Sequence, residues 1–110
     1  MAEPSFFDNV YEVAKLIPRG RVTSYGAIAR YLGSAKSSRA VGYALNGSMG
    51  QSDVPAHRVV NRLGMLSGRN HFPSPTAMQD ALEAEGIKVV DNQVQKMNDH
   101  FWDPSIELSL

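Results

Sequence analysis

Between Phe6 and Asn46 the chain is punctuated twice, by Pro18-Arg19-Gly20 and by Gly33-Ser34, so only short helices fit there. Helices this short gain little from intrinsic propensity, and each must bury an apolar face against its neighbours. Phe6, Val10, Val13 or Ala14, and Ile17 recur at helical spacing behind Ser5, which predicts a capped helix over residues 6 to about 17. Thr23 or Ser24 caps a second helix ending near residue 32, with Ile28, Ala29 and Leu32 facing inward. A third, over about 35–46, buries Ala40, Val41, Ala44 and Leu45. Two short helices joined by a Gly-containing turn outline a helix-turn-helix over about 23–46.

The second half reads differently. Residues 59–66 predict a short hairpin or wing turning at Leu63-Gly64, and 67–75 a polar, rigid loop. Ser74-Pro75 opens a further helix with Met78, Ala81 and Leu82 on its apolar face, and Gly86 stops it. Ile87 to Val90 suits a short strand that Asp91-Asn92 turns back, and Phe101, Trp102 and Pro104 dock the tail. The expected fold is one domain over residues 1–110, mainly α with a minor β component and a winged helix-turn-helix core.

Charge sharpens the functional reading. Net charge is formally zero, yet residues 13–52 hold six basic side chains and no acid, and extension to Arg69 makes the ratio nine to one. From Asp80 onward seven acids face only Lys88 and Lys96. Two solvated surfaces of opposite sign would account for this, but so dense a basic block better fits a polyanion partner. The chain has no Cys, which removes disulfides, thiolate nucleophiles and Cys-based zinc sites. His57, His71 and His100 lack paired ligand spacing, so no metal site is expected. No apolar run reaches the ~20 residues of a membrane helix, and no signal peptide is evident. A cytoplasmic monomer is the expectation.

The stretch PAHRVV, residues 55–60, looks like a site without its centre. Pro55 stiffens the approach and His57 and Arg58 supply nitrogen-rich side chains, but Ala56 between them has no chemistry. PAHRVV followed by GMLSGR resembles the active-site region of the O6-alkylguanine-DNA alkyltransferases, whose motif there is Pro-Cys-His-Arg-Val. GRVTSYGAIARYLG followed by SSRAVGYAL resembles the same family's DNA-binding helix-turn-helix. The resemblance covers essentially the whole chain and is nearest to the alkyltransferase-like group, in which Trp or Ala replaces the reactive Cys.

That resemblance implies a set of roles. Arg39 stands at the arginine-finger position, on a helix that enters the minor groove and fills the stack left by an everted nucleotide. Tyr25 presses on the backbone beside the lesion, and Thr23, Ser34, Lys36, Ser37 and Ser38 bind the DNA strand. A lesion pocket over about 55–75 is expected from Tyr25, Pro55, Ala56, Val59, Ser67 and Arg69. Arg69 replaces a Tyr of active members and is expected to contact the flipped base through a cation–π term. His57 and Glu85 match a relay that has no thiol left to activate, and Ser48 replaces a bracing Asn. Arg58 pins the loop through carbonyls or an acid.

The implied partners are double-stranded DNA carrying O6-alkylguanine and nucleotide excision repair proteins, with no cofactor and no alkyl transfer. Two rivals remain. One is an enzyme acting through His57 or another non-Cys residue; the other is a transcriptional regulator that reads sequence in the major groove.

Overall fold

The structure is a computed structural model that describes residues 5–33, 38–49, 51 and 53–108. Helix α1 (Phe6–Lys15) opens on a reciprocal cap, in which the Ser5 hydroxyl accepts the Asp8 amide and the Asp8 carboxylate accepts the Ser5 amide. Strand β1 (Thr23–Ser24) leads directly into α2 (Tyr25–Tyr31), capped by Ser24 through the Ala27 amide at 3.1 Å. Helix α3 (Ser38–Asn46) follows, burying Val41, Ala44 and Leu45. The helix-turn-helix outline therefore stands: a mostly helical fold with a small sheet component.

The sheet is where the expectations need correction. Strand β2 (Val59–Val60) pairs parallel with β1, Thr23 opposite Val59 and Ser24 opposite Val60, while the expected turn at Leu63-Gly64 does form, closed by the Asn61 amide on the Met65 carbonyl at 3.1 Å. The strand expected before Asp91-Asn92 forms an antiparallel hairpin, β3 (Val89–Val90) with β4 (Gln93–Val94), and Met65 bridges to Gln93 at its edge. Asp91 and Asn92 turn it, both at positive φ (51° and 61°), which Asp and Asn tolerate better than most residues. Helix α4 spans Ala77–Ala84, two residues later than Ser74-Pro75 suggested. The Ser74 carbonyl closes a turn onto the Ala77 amide, and the Thr76 hydroxyl goes to Asp80 rather than capping the helix.

Two hydrophobic clusters form the core. One joins α1, α2 and α3 with Val54, Ala56, Val59 and Trp102; the other gathers Val22, Val60, Leu66, Met78, Leu82, Ile87, Val89 and Val94. Adjacent residues of β2 point to opposite faces, so Val59 serves the first cluster and Val60 the second. Phe72 packs against both. The tail docks as expected: Trp102 donates its amide to the Val22 carbonyl at 2.7 Å and buries its ring. Short helices α5 (Met97–His100) and α6 (Pro104–Glu107) flank it.

Thr23 corrects a site assignment. It is fully buried, and its Oγ1 has no partner among the described residues, so it is no phosphate ligand in this arrangement. Parallel pairing with β2 turns the side chain inward. An orphaned buried hydroxyl costs roughly 1–3 kcal/mol. Thr23→Val should accordingly raise the urea midpoint, at unchanged denaturant slope, by an amount worth about 1 kcal/mol. A lowered midpoint would show that the hydroxyl has a partner.

Candidate nucleic-acid interface

Tyr25 starts α2 and is half-buried between two glycines. A Cβ on Gly42 would lie 3.9 Å from its ring, in ordinary contact, whereas one on Gly68 would sit 2.8 Å from its hydroxyl. Gly68 is therefore the residue that lets the 67–71 loop close onto the tyrosine. Burial pushes the Tyr25 phenol above its ordinary pKa, and a hydrogen bond with the Ser67 side chain partly offsets this. The group stays neutral at physiological pH and keeps its proton for donation.

Around it opens a cleft of about 340 Å³ lined by Tyr25, Ser38, Arg39, Gly42, Tyr43, Asn46, Ser67, Gly68 and His71. The structure thus brings together Tyr25, Arg39, Ser38 and Ser67 from the expected set. Ser34, Lys36 and Ser37 lie outside the described residues. Gly42 was expected only as a small residue allowing close approach to the DNA backbone, and Tyr43, Asn46, Gly68 and His71 were missed. The helical residues among them were recoverable, because Arg39, Gly42, Tyr43 and Asn46 fall at i, i+3, i+4 and i+7, opposite the buried Val41, Ala44 and Leu45.

The expected lesion pocket is divided. Pro55, Ala56 and His57 line a second hollow of about 410 Å³, together with Ser48, Met49, Val54, Phe72 and Pro73. Ala56 begins a single 3-10 turn, Ala56–Arg58, and is 9% exposed. Val59 does not line either space; it is fully buried beneath them as part of β2. Arg69 does not reach the Tyr25 cleft. Its Nη1 donates to the Leu66 carbonyl at 3.0 Å, and the side chain borders a smaller hollow shared with Phe72 and Pro73. Ser48 is buried and spends its hydroxyl on the Leu45 carbonyl at 2.6 Å, one turn back.

His57, Arg58 and Glu85 form a closed network. His57 Nε2 lies 2.6 Å from Glu85 Oε2, while Arg58 Nε and Nη2 donate to the same carboxylate at 2.9–3.1 Å. The Gly20 amide donates to Glu85 Oε1 at 2.8 Å, and Arg58 Nη1 donates to the Ile17 carbonyl at 2.8 Å. Burial alone would raise the Glu85 pKa. Arg58, the Gly20 amide and His57 outweigh it and hold the carboxyl down to about 2. Chemically the network orients an imidazole, with Nδ1 as the one ring nitrogen not committed to Glu85, beside a methyl group that offers nothing to deprotonate.

Much of the basic block is also occupied. Arg19 donates to the Ala84 carbonyl, Arg21 to the His100 and Phe101 carbonyls, and Lys15 pairs with Glu12 and Asp53. With Arg58 and Arg69 engaged as above, Arg30, Arg39 and Arg62 are the exposed arginines without a hydrogen-bond or ion-pair partner among the described residues. Arg39 alone of these lines the Tyr25 cleft. Among the described residues no group of His, Asp or Glu side chains could hold a metal ion, and no helix is long and apolar enough to cross a membrane.

Comparison with known proteins gives this geometry a lineage. A family model described as 6-O-methylguanine DNA methyltransferase, DNA binding domain, matches residues 5–87. Alkyltransferase-like protein 1 of Schizosaccharomyces pombe is 34% identical over 108 residues, covering 94% of this chain and 100% of that protein. The DNA base-flipping protein of Escherichia coli is 40% identical over 87 residues, covering 79% of this chain and 66% of that one. The crystal structure of the S. pombe protein in complex with damaged DNA containing O6-carboxymethylguanine superposes at a TM-score of 0.78. That match has 33% identity and covers 94% of this chain and 100% of the other. By its helix-turn-helix, its Pro-Ala-His-Arg turn and these matches, the chain belongs to the 6-O-methylguanine DNA methyltransferase DNA-binding domain family.

Proposed function

We propose that this protein binds duplex DNA carrying O6-alkylguanine through the minor groove, flips the lesion out of the stack and transfers nothing. The observation that carries the reading is the Tyr25–Arg39 cleft on the exposed face of α3, set beside a reactive-Cys position filled by Ala56. Arg39 fills the gap left by the everted base, and the neutral Tyr25 phenol presses on the strand beside it. The Ala56 hollow, next to Phe72 and Pro73, gives the O6 substituent room. The S. pombe relative in complex with DNA containing O6-carboxymethylguanine and the E. coli relative named as a DNA base-flipping protein support lesion binding and base flipping. The bound complex then marks the lesion for nucleotide excision repair. Phosphate contact by Ser34, Lys36, Ser37 and Ser38 and base contact by Arg69 belong to the same proposal, the latter requiring Arg69 to leave the Leu66 carbonyl.

The experiment compares matched duplexes with and without O6-methylguanine by fluorescence anisotropy, followed by intact-mass measurement of the protein. Tighter binding to the lesion with unchanged protein mass is expected. Equal affinity for both duplexes, or a stoichiometric mass gain of one methyl group, would overturn the proposal. Incision of the lesion strand by purified nucleotide excision repair proteins should rise when this protein is added. No change would remove the repair link alone.

The sequestered cations alter the expected salt response. With Lys15, Arg19, Arg21, Arg58 and Arg69 engaged within the fold, at most four of the nine basic residues remain for phosphate, and log K should fall against log salt with a slope of roughly −3 to −4. A titration from low to moderate salt checks this, and a slope near −8 would show that the carbonyl-bound arginines are redirected to phosphate.

A further inference from the structure

Beyond Arg39, the cleft-facing side of α3 continues into Tyr43 and Asn46, which the proposed reading of the lesion does not use. Tyr43 leaves an aromatic ring 60% exposed on a helix whose other face is well packed, and it does so on the wall of the Tyr25 cleft. Gly42, beside it, faces the Tyr25 ring, which a Cβ there would meet at 3.9 Å. Arg39, Tyr43 and Asn46 follow one another at i, i+4 and i+7 and so form a single stripe along the helix.

The dimensions of the stripe fit a short stretch of duplex. Seven residues of α-helix rise about 10 Å, against a base-pair step of about 3.4 Å. If Arg39 occupies the place of the everted base, Tyr43 and Asn46 overlie base pairs to one side of it. The minor groove there distinguishes mainly A·T from G·C, through the guanine N2 amino group that projects from its floor. A tyrosine ring lying in the groove is obstructed by that amino group. An A·T pair leaves the space open, and Asn46 offers an amide donor to the adenine N3 or thymine O2 acceptors.

We propose that Tyr43 and Asn46 read the base pairs on one side of the lesion and favour A·T there. The inference rests on the minor-groove reading above. Its test uses O6-methylguanine duplexes that carry A·T or G·C pairs at the three positions on either side, with lesion-free duplexes as controls. The native protein should bind roughly fivefold to tenfold tighter when A·T lies on one particular side, and be indifferent to the other. Tyr43→Ala should abolish that preference, read as the ratio of affinities for A·T- and G·C-flanked lesion duplexes, and Tyr43→Phe should keep it. Asn46→Ala should weaken it without removing it.

A native protein that prefers the lesion but ignores its neighbours would overturn the inference and leave the functional reading standing. So would a preference that survives in Tyr43→Ala. Loss of lesion preference in the native protein would instead overturn the functional reading itself.

Discussion

An Arg58→Ala protein is expected to be less stable than the native chain by on the order of 3–5 kcal/mol, because it strands a buried carboxylate. Glu85 has a side chain only 6% exposed, and Arg58 supplies most of its compensation through Nε and Nη2. The same guanidinium holds the Ile17 carbonyl, so its loss also frees the chain between α1 and β1 from the end of α4. For a small domain this is a large share of a total stability of about 5–15 kcal/mol. Urea unfolding would measure it; a loss below 1 kcal/mol would mean that water replaces the guanidinium easily.

The pH dependence gives an independent check on the same carboxylate. Its pKa is lowered from an ordinary 4.5 to about 2. A depressed acid stabilises the fold above the unfolded-state value and loses that contribution as pH falls through the folded one. About 3 kcal/mol should therefore disappear between pH 4.5 and pH 2. Glu85→Gln cannot titrate, so the stability gap between it and the native protein should be widest near neutrality and close over that window. A gap that does not change with pH would exclude the ionised Glu85 as its source.

Arg39→Ala is expected to reduce the preference for O6-methylguanine over guanine by about tenfold to a hundredfold, the worth of a well-placed bidentate contact. Arg39→Lys should fall between the two, since Lys keeps charge and reach but loses the planar fork that stacks and hydrogen-bonds together. Both variants should fold normally, because Arg39 is exposed and outside the core clusters. A fluorescent base analogue beside the lesion should brighten on binding by the native protein and respond weakly to Arg39→Ala. An undiminished response would assign eversion to Tyr25 or to the 67–71 loop.

Local chemistry in the chain determined a good deal by itself. Ser5 and Ser24 cap their helices through amides within three residues, and the apolar spacing of residues 41–45 sets the buried face of α3. Asp91-Asn92 turns the hairpin because both residues tolerate positive φ. These interactions span a few residues, so spacing and residue type suffice to place them. The likeness of PAHRVV to the Pro-Cys-His-Arg-Val motif, with Ala56 at the Cys position, is likewise legible from residue order alone.

Packing between distant segments decided the rest. Thr23 looks like a cap or a phosphate ligand until β2 pairs with it from 36 residues away and buries it. Val59 sits inside the motif yet belongs to the core for the same reason. Most of the basic block looks free in one dimension, but Arg19, Arg21 and Arg58 find carbonyls 41 to 80 residues distant, because the helix ends and loops there have unsatisfied acceptors. The closure of the 67–71 loop onto Tyr25, which gives the Arg39 cleft its Ser67, Gly68 and His71 wall, depends on Gly68 lying against a side chain from α2. Such contacts have no period and no fixed spacing. They arise only when the two hydrophobic clusters have brought their segments together.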